Sequence, residues 1–406
     1  MSNKRTIELT IILAITLFAF CLRVWQLDSN PPGWRDDEII NSLVISQHVL
    51  DGDWAVYYAD ASGHEALYHV LNAIMLGTFG PGVAGIRWLS AILGVASVFL
   101  TFLVGRRLYG PISGLVASAT LAVSFWSLMY SRVGIRHILL PVLALATFFF
   151  FIRGLGIGGV TCRNHRAHLP DFLLAGFFMG LSFYSYFASR GVPLILLAFL
   201  VYAWIFERSL VKRFWKQLLL MFGLAFLMAI PLLVTLSRQP ESEARVSELA
   251  VPLTEAQAGN LKPLQEHVIT TLSMYHSAGD DEWLYNIPDR PVFGPVGALF
   301  FWSGILIALV YALRPAYDWL FRREVKTPQK QSSEIAYATS LSSALVLIWW
   351  FAGISPAFIS VPPASLGHTI LAQPAVYLIV ALPVWWLNQI RYKDRAWLVT
   401  VAAVVL

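Results

Sequence analysis

The chain has 406 residues, of which 57% are hydrophobic and only 13% are charged, and its mean hydropathy is +0.64. This composition excludes an ordinary soluble domain, and apolar runs of roughly 20 residues exclude an outer-membrane β-barrel, whose strands alternate in hydrophobicity over roughly 10 residues. The net charge of +5 requires no nucleic-acid partner, because the excess Lys and Arg lies where it would orient a membrane protein.

The apolar runs predict an all-α fold, a polytopic bundle of about 11 transmembrane helices. They lie at about 7–27, 85–105, 112–131, 136–155, 171–189, 190–207, 217–237, 292–313, 335–355, 367–388 and from about 396. The first run lacks a signal-peptide cleavage site and is predicted to stay as an anchor. We therefore expect a single transmembrane domain over 1–406. Its last run breaks off after about half a span, so we expect the domain to be incomplete at its C-terminus.

Basic residues alternate along the connecting segments and predict the orientation. Lys4 and Arg5 precede the first span, and Lys or Arg recurs in every second connection, beginning at Arg106. Such residues mark the cytoplasmic side of a membrane protein. The N-terminus is therefore predicted to be cytoplasmic, in a multi-pass protein of a cell membrane, with a prokaryotic plasma membrane expected. The long segments 28–84 and 238–291 are then external.

The apolar run ALYHVLNAIMLGTFG, at 66–80, could be taken for a further span. Counting it as one would move Arg106 and Arg107 to the outside and invert every later connection, against the bias of the basic residues. We therefore predict that it lies in or dips into the outer membrane interface, within an external segment at 28–84 that carries interfacial helices. A connection of this length usually has a function.

The first external segment opens with PPGWRDDEIIN, at 31–41, which sets three carboxylates in a row at the membrane boundary: Asp36, Asp37 and Glu38. Acidic residues are favourable in the first turn of a helix, so the cluster could be a solvated cap. Charge at a membrane boundary is also typical of working sites, so the cluster could equally be functional.

Arginines lie on the shorter external turns. SRVGIRH contains Arg132 and Arg136, and FASRGVP contains Arg190. Carboxylates of the long segments and these arginines would meet on one side of the membrane, which suits an anionic ligand beside a base, because Arg binds phosphate and a carboxylate can accept a proton. The alternative for each arginine is interfacial snorkelling at the end of a span.

Three stretches carry a resemblance to a known family: PPGWRDDEIINSLVISQHVLDGDW, GHEALYHVLNAIMLGTFGPGVAGIRWLSAILGVASVFLTFLVGRRLYG and FWSLMYSRVGIRHILLPVLAL. Residues 5–210 resemble the N-terminal half of the GT-C glycosyltransferases of family 39, of the protein O-mannosyltransferase and aminoarabinose-transferase type. The resemblance implies a membrane enzyme that takes a sugar from a polyprenyl-phosphate donor. It would transfer this sugar, with inversion, to a protein, lipid or glycan acceptor on the extracytoplasmic face.

An Asp-Glu pair in the first external loop is the signature of that family, and here it falls on Asp37 and Glu38. The resemblance implies that Asp37 is the general base for the acceptor hydroxyl and that Glu38 positions the proton or shares it. Asp36 is expected to be a solvated neighbour, because adjacent residues of a helix point in different directions.

Inverting transfer also needs a cationic clamp for the departing lipid phosphate. The candidates are Arg132, Arg136 and Arg190. Related enzymes often carry a second acidic residue soon after the SR of the next external turn, whereas this chain has Arg136 and His137 there. The turn therefore supplies cations instead of a second acid.

Further substrate-binding candidates are His64 and Glu65, in GHEALYH, where the aminoarabinose-transferase type usually has a basic residue. A lone loop histidine is more often a surface residue. Asp280 and Asp281 could contact sugar or acceptor, although we expect them to lie in a solvated acidic loop. Aromatic residues near 183–187 could line a lipid groove.

No spacing of His, Cys or Asp indicates a dedicated metal site, so no cofactor is predicted and a divalent cation is left open. A transporter or lipid flippase is the competing function and would need charges along a mid-membrane pathway. The charges here lie at the ends of the spans, so glycosyl transfer is favoured over transport and over a catalytically silent scaffold. The expected partners are the donor lipid, its acceptor and the surrounding membrane lipids.

Overall fold

The computed structural model of the chain describes residues 2–158, 168–238, 249–321 and 330–389. Its first half contains α1 (Ser2–Val24), α2 (Asp36–Glu38, continued by a π-helix at Ile39–Ser46 and by Gln47–Leu50), α3 (Leu67–Phe79), α4 (Val83–Tyr109), α5 (Pro111–Val123), α6 (Phe125–Arg132) and α7 (Leu139–Leu155). Two short antiparallel strands, β1 (Tyr57–Tyr58) and β2 (His64–Glu65), lie between α2 and α3.

The second half is also helical. It contains α8 (Leu169–Ser182), α9 (Gly191–Phe206), α10 (Arg208–Arg238), α11 (Val251–Gln257), α12 (Lys262–Ser273), α13 (Pro295–Phe321), α14 (Lys330–Ile354), α15 (Pro356–Ile359), α16 (Gln373–Val380) and α17 (Leu382–Gln389). Short 3-10 turns occur at Asp60–Ser62, Arg136–Ile138, Phe187–Arg190 and Ile370–Ala372.

Among the described residues, 8 helical segments are long and apolar enough to cross a membrane, and the pair α5 and α6 makes a ninth if it is counted as one bent span. The prediction of an all-α, multi-pass membrane protein is therefore confirmed. The predicted number of spans is not confirmed. The run at 171–189 forms α8, which has only 14 residues, and the run from 396 lies outside the described residues.

The two short apolar helices, α3 and α8, differ in where their ends lie. At 1.5 Å per residue, the 13 residues of α3 reach only about 20 Å, short of the roughly 30 Å of a bilayer core. Arg87, soon after α3, pairs with Glu38, so the chain stays on the side of the first external segment. The two ends of α8, in contrast, lie on opposite sides of the bundle. Asp171, in the first turn of α8, pairs with Arg153 near the end of α7, whereas Tyr186, which follows α8, lines a cavity on the side of the first external segment.

Five segments predicted to be external meet around that cavity. They are the first external segment, the turns that follow α6 and α8, the part of the second external segment from 249, and the turn between α14 and α16. At the other end of the bundle, Arg106 contacts Glu8 and Arg153 contacts Asp171. Which of these two groups of connections faces the cytoplasm stays a prediction.

We expect thiol labelling to assign the two sides. Trp54, which is 69% exposed, lies in the first external segment, and Lys212 is an exposed residue of α10 in a predicted cytoplasmic connection. In a background without Cys21 and Cys162, a membrane-impermeant maleimide should label Trp54→Cys in intact cells. It should label Lys212→Cys only after permeabilisation. The reverse pattern would invert the orientation.

Close packing of α4 against α5 forms the centre of the bundle. A Cβ atom added at Gly114 of α5 would lie 2.6 Å from the carbonyl oxygen of Phe102 and 2.7 Å from the amide nitrogen of Arg106, both in α4. Only glycine allows the two backbones to approach this closely, as is common where membrane helices pack. This contact fixes α5 and therefore the start of α6.

The bend of 59° between α5 and α6 lies at Ser124 and is stabilised by Arg23 of α1. The buried guanidinium of Arg23 donates to the carbonyl oxygen of Ala122 at 3.2 Å and to the hydroxyl of Ser127 at 2.8 Å. Carbonyl groups at the end of a helix lack partners within that helix, and a cation can satisfy them. The bend directs α6 and the turn after it toward the cavity.

Candidate active site

A cavity of about 310 Å³ lies where the five segments meet. Small-molecule sites are usually clefts of roughly 300 to 1,000 Å³ with a few convergent polar groups. The polar residues that line this cavity are Asp37, Asn41, His64, Glu65, Arg136, His137, Asp280, Glu282, Ser360, Ser365 and His368, together with Tyr57, Tyr130, Tyr186 and Tyr285.

The three acidic residues of α2 lie in three different environments, because successive residues of a helix are about 100° apart around its axis. Asp36 is exposed, Asp37 is half-buried at the cavity, and Glu38 is fully buried. The predicted catalytic pair is thus divided, since Asp37 lines the cavity and Glu38 does not.

Asp37 is held by a residue far away in the sequence. The hydroxyl of Tyr285 donates to Oδ2 of Asp37, and Nε of Arg35 donates to the carbonyl oxygen of Leu284 at 2.6 Å. Burial, followed by the nearby Asp37 carboxylate, raises the pKa of Tyr285 well above its ordinary value. Tyr285 therefore keeps its proton at neutral pH and remains a hydrogen-bond donor to Asp37.

Glu38 joins α2 to α4 and to the turn after α6. Nε and Nη2 of Arg87 donate to Oε1 and Oε2 of Glu38, at 2.7 and 3.0 Å. The backbone N–H groups of Gly134 and Arg35 donate to the same carboxylate, each at 3.0 Å. The contact with Arg35 caps the first turn of α2, so the cap interpretation applies to Glu38 while Asp37 faces the cavity.

Arg136, alone among the three predicted phosphate-binding arginines, lines the cavity. Its Nη1 donates to the carbonyl oxygen of Gly63 at 2.8 Å and lies 3.5 Å from Oε2 of Glu65. The guanidinium lies over the ring of Tyr186, 5.6 Å from the ring centre. The side chain of Arg136 is thus half-buried and oriented by neighbours.

Arg132 and Arg190 are placed differently. Nη2 of Arg132 donates to the carbonyl oxygens of Trp25 and Asn30, each at 2.7 Å, at the end of α1. The guanidinium of Arg190 lies over the ring of Phe187 at 4.2 Å. Neither arginine lines the cavity, so the structure does not bring them together with Arg136 there, and their alternative as snorkelling residues stays open.

His64 and Glu65, in β2, are both buried and both line the cavity, so His64 is not a surface residue. Nδ1 of His69 lies 3.0 Å from the carbonyl oxygen of Asn41, and Nε2 of His69 lies 3.2 Å from Nδ1 of His64. A carbonyl oxygen only accepts, so His69 carries its proton on Nδ1 and accepts from His64. Burial lowers the pKa of His69 to about 3, so it stays neutral.

The expectation of a solvated acidic loop is wrong for Asp280. Its carboxylate is buried and accepts the backbone N–H groups of Leu366 at 2.7 Å and Glu282 at 3.1 Å. Burial raises the pKa of Asp280, and the two hydrogen bonds oppose that shift. Asp280 joins the second external segment to the turn before α16, whereas Asp281 is exposed, as expected.

Sequence reasoning overlooked three tyrosines of the cavity, Tyr57, Tyr130 and Tyr285, and also His368. None of them belongs to a motif with a characteristic spacing. The aromatic residues near 183–187 were expected at a lipid groove, and Tyr186 and Phe187 of that stretch line the cavity. The stretch GDDEWLYN held the one available signal, a tyrosine close to a cluster of acids.

The part of the chain that the structure describes contains no group of three or more His, Cys, Asp or Glu residues that could hold a metal ion.

A family model for dolichyl-phosphate-mannose-protein mannosyltransferases matches residues 66–234. The matched region begins after α2 and includes Arg87, Arg136 and Tyr186. A comparison with curated proteins returned no match.

Solved structures of two membrane glycosyltransferases are similar to the whole described fold. The oligosaccharyltransferase of Archaeoglobus fulgidus in its apo form matches 98% of this chain and 54% of its own, with 15% identity and a TM-score of 0.56. ArnT from Cupriavidus metallidurans, bound to undecaprenyl phosphate, matches 98% of this chain and 62% of its own, with 15% identity and a TM-score of 0.55. The chain thus spans little more than half the length of these structures, and it has the GT-C fold of membrane glycosyltransferases.

Proposed function

We propose that the chain is a glycosyltransferase that moves a sugar from a polyprenyl-phosphate donor to an acceptor, with inversion at the anomeric carbon. The observation that carries this proposal is the cavity that holds the carboxylate of Asp37 and the guanidinium of Arg136 together. ArnT, which shares the fold, was solved with undecaprenyl phosphate, and this supports a polyprenyl-phosphate donor. The acceptor is a protein, lipid or glycan that carries a nucleophilic hydroxyl.

Asp37 acts as the general base. The acceptor oxygen attacks the anomeric carbon while its proton passes to Asp37, and the bond from the anomeric carbon to the phosphate oxygen breaks. The polyprenyl phosphate leaves with the bonding electrons. Tyr285 donates to Oδ2 of Asp37, which fixes the plane of the carboxylate and leaves Oδ1 as the oxygen that accepts the proton.

Arg136 stabilises the charge that grows on the departing phosphate. A guanidinium offers fixed donors that fit phosphate oxygens, and a site screened from water strengthens the interaction. Glu65, 3.5 Å from Arg136, orients the guanidinium, and His64 beside it supplies a further polar contact for the donor. Glu38 is a positioning residue that holds α2, and with it Asp37, in place. Its carboxylate is occupied by Arg87 and two backbone N–H groups.

The cavity side is proposed to face out of the cell, with the N-terminus in the cytoplasm, in the plasma membrane of a prokaryote. The alternation of Lys and Arg between the connections supports this orientation. The donor would then reach the cavity from the outer leaflet, and membrane lipids would surround the bundle.

Replacing Arg136 with Ala should weaken donor binding by about tenfold or more, because a lost charge-assisted contact costs roughly 1.5 to 3 kcal/mol. Arg132→Ala and Arg190→Ala serve as matched controls, since neither side chain lines the cavity. Dissociation constants for a polyprenyl-phosphate sugar, measured on the three purified variants, would check this. Equal loss in all three would mean that the phosphate is not bound by Arg136.

The function itself is tested by incubating the purified chain with a radiolabelled polyprenyl-phosphate sugar and a membrane extract as source of acceptor. We expect free polyprenyl phosphate and a labelled product to form together. A transporter, a flippase or a scaffold would leave the donor intact, and intact donor would contradict the proposal. The same assay with and without EDTA shows whether a divalent cation takes part.

A further inference from the structure

Four aromatic rings that line the cavity follow one another in a row, with neighbouring ring planes inclined by 32°, 71° and 44°. We call the row the aromatic wall; it consists of Tyr285, Tyr130, His137 and Tyr186. Successive ring centres are 5.7 Å apart from Tyr285 to Tyr130, 6.0 Å from Tyr130 to His137 and 4.1 Å from His137 to Tyr186. The rings come from three separate segments of the chain, so the row is a product of the fold.

The aromatic wall connects the two charged groups of the site. At one end the hydroxyl of Tyr285 donates to Asp37, and at the other the ring of Tyr186 lies under the guanidinium of Arg136, 5.6 Å from it. During transfer, the anomeric carbon lies between the attacking oxygen and the departing phosphate. A sugar whose acceptor is deprotonated by Asp37 and whose phosphate is held by Arg136 would therefore lie between the two ends of the wall.

We propose that the aromatic wall is the binding subsite for the pyranose ring of the donor and takes up its C–H face. The face of an aromatic ring carries partial negative charge, which attracts the polarised C–H groups of a sugar and excludes water from them. This inference rests on the proposed function. It goes further because Asp37 and Arg136 account for the acceptor oxygen and the phosphate, whereas the wall accounts for the sugar ring.

Gly367 packs directly against two rings of the wall. A Cβ atom added at Gly367 would lie 2.9 Å from the hydroxyl oxygen of Tyr130 and 3.5 Å from Cδ2 of His137. Gly367 itself also lines the cavity. A methyl group there would displace the hydroxyl of Tyr130 and so disturb the wall from the cavity side.

The wall is tested by measuring how tightly the purified full chain binds dolichyl phosphate, which has no sugar, and the two sugar-carrying lipids dolichyl phosphate mannose and dolichyl phosphate glucose. The wild-type chain should bind at least one of the sugar-carrying lipids more tightly than it binds dolichyl phosphate. Tyr186→Leu removes a ring but keeps an apolar side chain, so this preference should fall by about tenfold. Tyr186→Phe keeps the ring and should keep the preference.

Two further variants separate the subsite from general damage. Tyr184→Leu removes a nearby tyrosine whose hydroxyl donates to the carbonyl oxygen of Met228 and which does not line the cavity, so the preference should not change. Gly367→Ala keeps all four rings but places a methyl group against the hydroxyl of Tyr130, which must shift, so it should lower affinity for the sugar-carrying lipids only.

Failure of the subsite and failure of the proposed function give different results. The subsite would be overturned if the wild-type chain bound dolichyl phosphate and the sugar-carrying lipids equally well, or if Tyr186→Leu lowered the affinity for both kinds of lipid equally. Arg136→Ala would still weaken the binding of both. If the wild-type chain bound none of these lipids, the proposed function would fail, and the subsite with it.

Discussion

Replacing Asp37 with Asn is expected to slow sugar transfer by about 100-fold to 10,000-fold, the usual cost of removing a general base. Asn has nearly the same size as Asp and can still accept a hydrogen bond from Tyr285, but it cannot take the proton of the acceptor. The dissociation constant of the donor should stay close to that of the wild-type chain, because Arg136 and the rest of the cavity are unchanged.

Asp36→Asn is the matched control for this experiment. It makes the same chemical change one residue away, at a side chain that is exposed instead of lining the cavity. We expect a change in transfer rate of no more than roughly threefold. Near-normal transfer by the Asp37 variant, or equal losses in the two variants, would mean that α2 begins with a solvated acidic cap and that the base lies elsewhere.

Replacing Glu38 with Gln is expected to destabilise the protein by about 3 to 5 kcal/mol, because removing one partner of a buried ion pair leaves the other charge uncompensated. The guanidinium of Arg87 and the carboxylate of Glu38 are both almost completely buried. The free energy of unfolding, from titration with a denaturing detergent, should fall for Glu38→Gln and change by less than about 0.5 kcal/mol for the exposed Asp36→Asn.

A double variant tests whether the broken ion pair causes this loss of stability. Glu38→Gln combined with Arg87→Met removes both charges, so its loss should be smaller than the sum of the two single losses. Additive losses would show that the two residues do not act as a pair. If Glu38→Gln were as stable as the wild-type chain yet inactive, Glu38 would take part in the proton transfer directly.

The multi-pass helical architecture could be predicted from sequence because it depends on local properties. Hydrophobic length indicates where a helix can cross, and the position of residues such as Arg106 predicts which end faces the cytoplasm. The exact spans were harder, since α8 is apolar but short and the span containing α5 breaks at Ser124. That break depends on Arg23, which lies about a hundred residues earlier.

The candidate site could be predicted only in part. Asp37 and Arg136 were identified from a family motif and from their position on external turns. The partners that orient them are distant in sequence, since Tyr285 lies 248 residues after Asp37 and Arg87 lies 49 residues after Glu38. Pairings over such distances depend on tertiary packing and leave no periodic pattern, so Glu38 was grouped with Asp37.

The burial of Asp280 is a second feature that depends on tertiary packing and could not be predicted from local sequence. An acidic residue among other acids in a polar stretch is usually solvated. Here the backbone N–H groups of Leu366 and Glu282 compensate for the loss of water, and Leu366 comes from another segment. Local composition therefore predicted Asp281 correctly and Asp280 incorrectly.

A crystal or cryo-EM structure of the chain with bound polyprenyl phosphate would locate the phosphate and so decide whether Arg136 binds it beside Asp37. We expect a phosphate oxygen at hydrogen-bonding distance, about 3 Å, from the guanidinium of Arg136, with room beside the aromatic wall between the phosphate and Asp37. A phosphate bound instead at Arg132 or Arg190, or at the opposite end of the bundle near Arg106, would contradict this expectation.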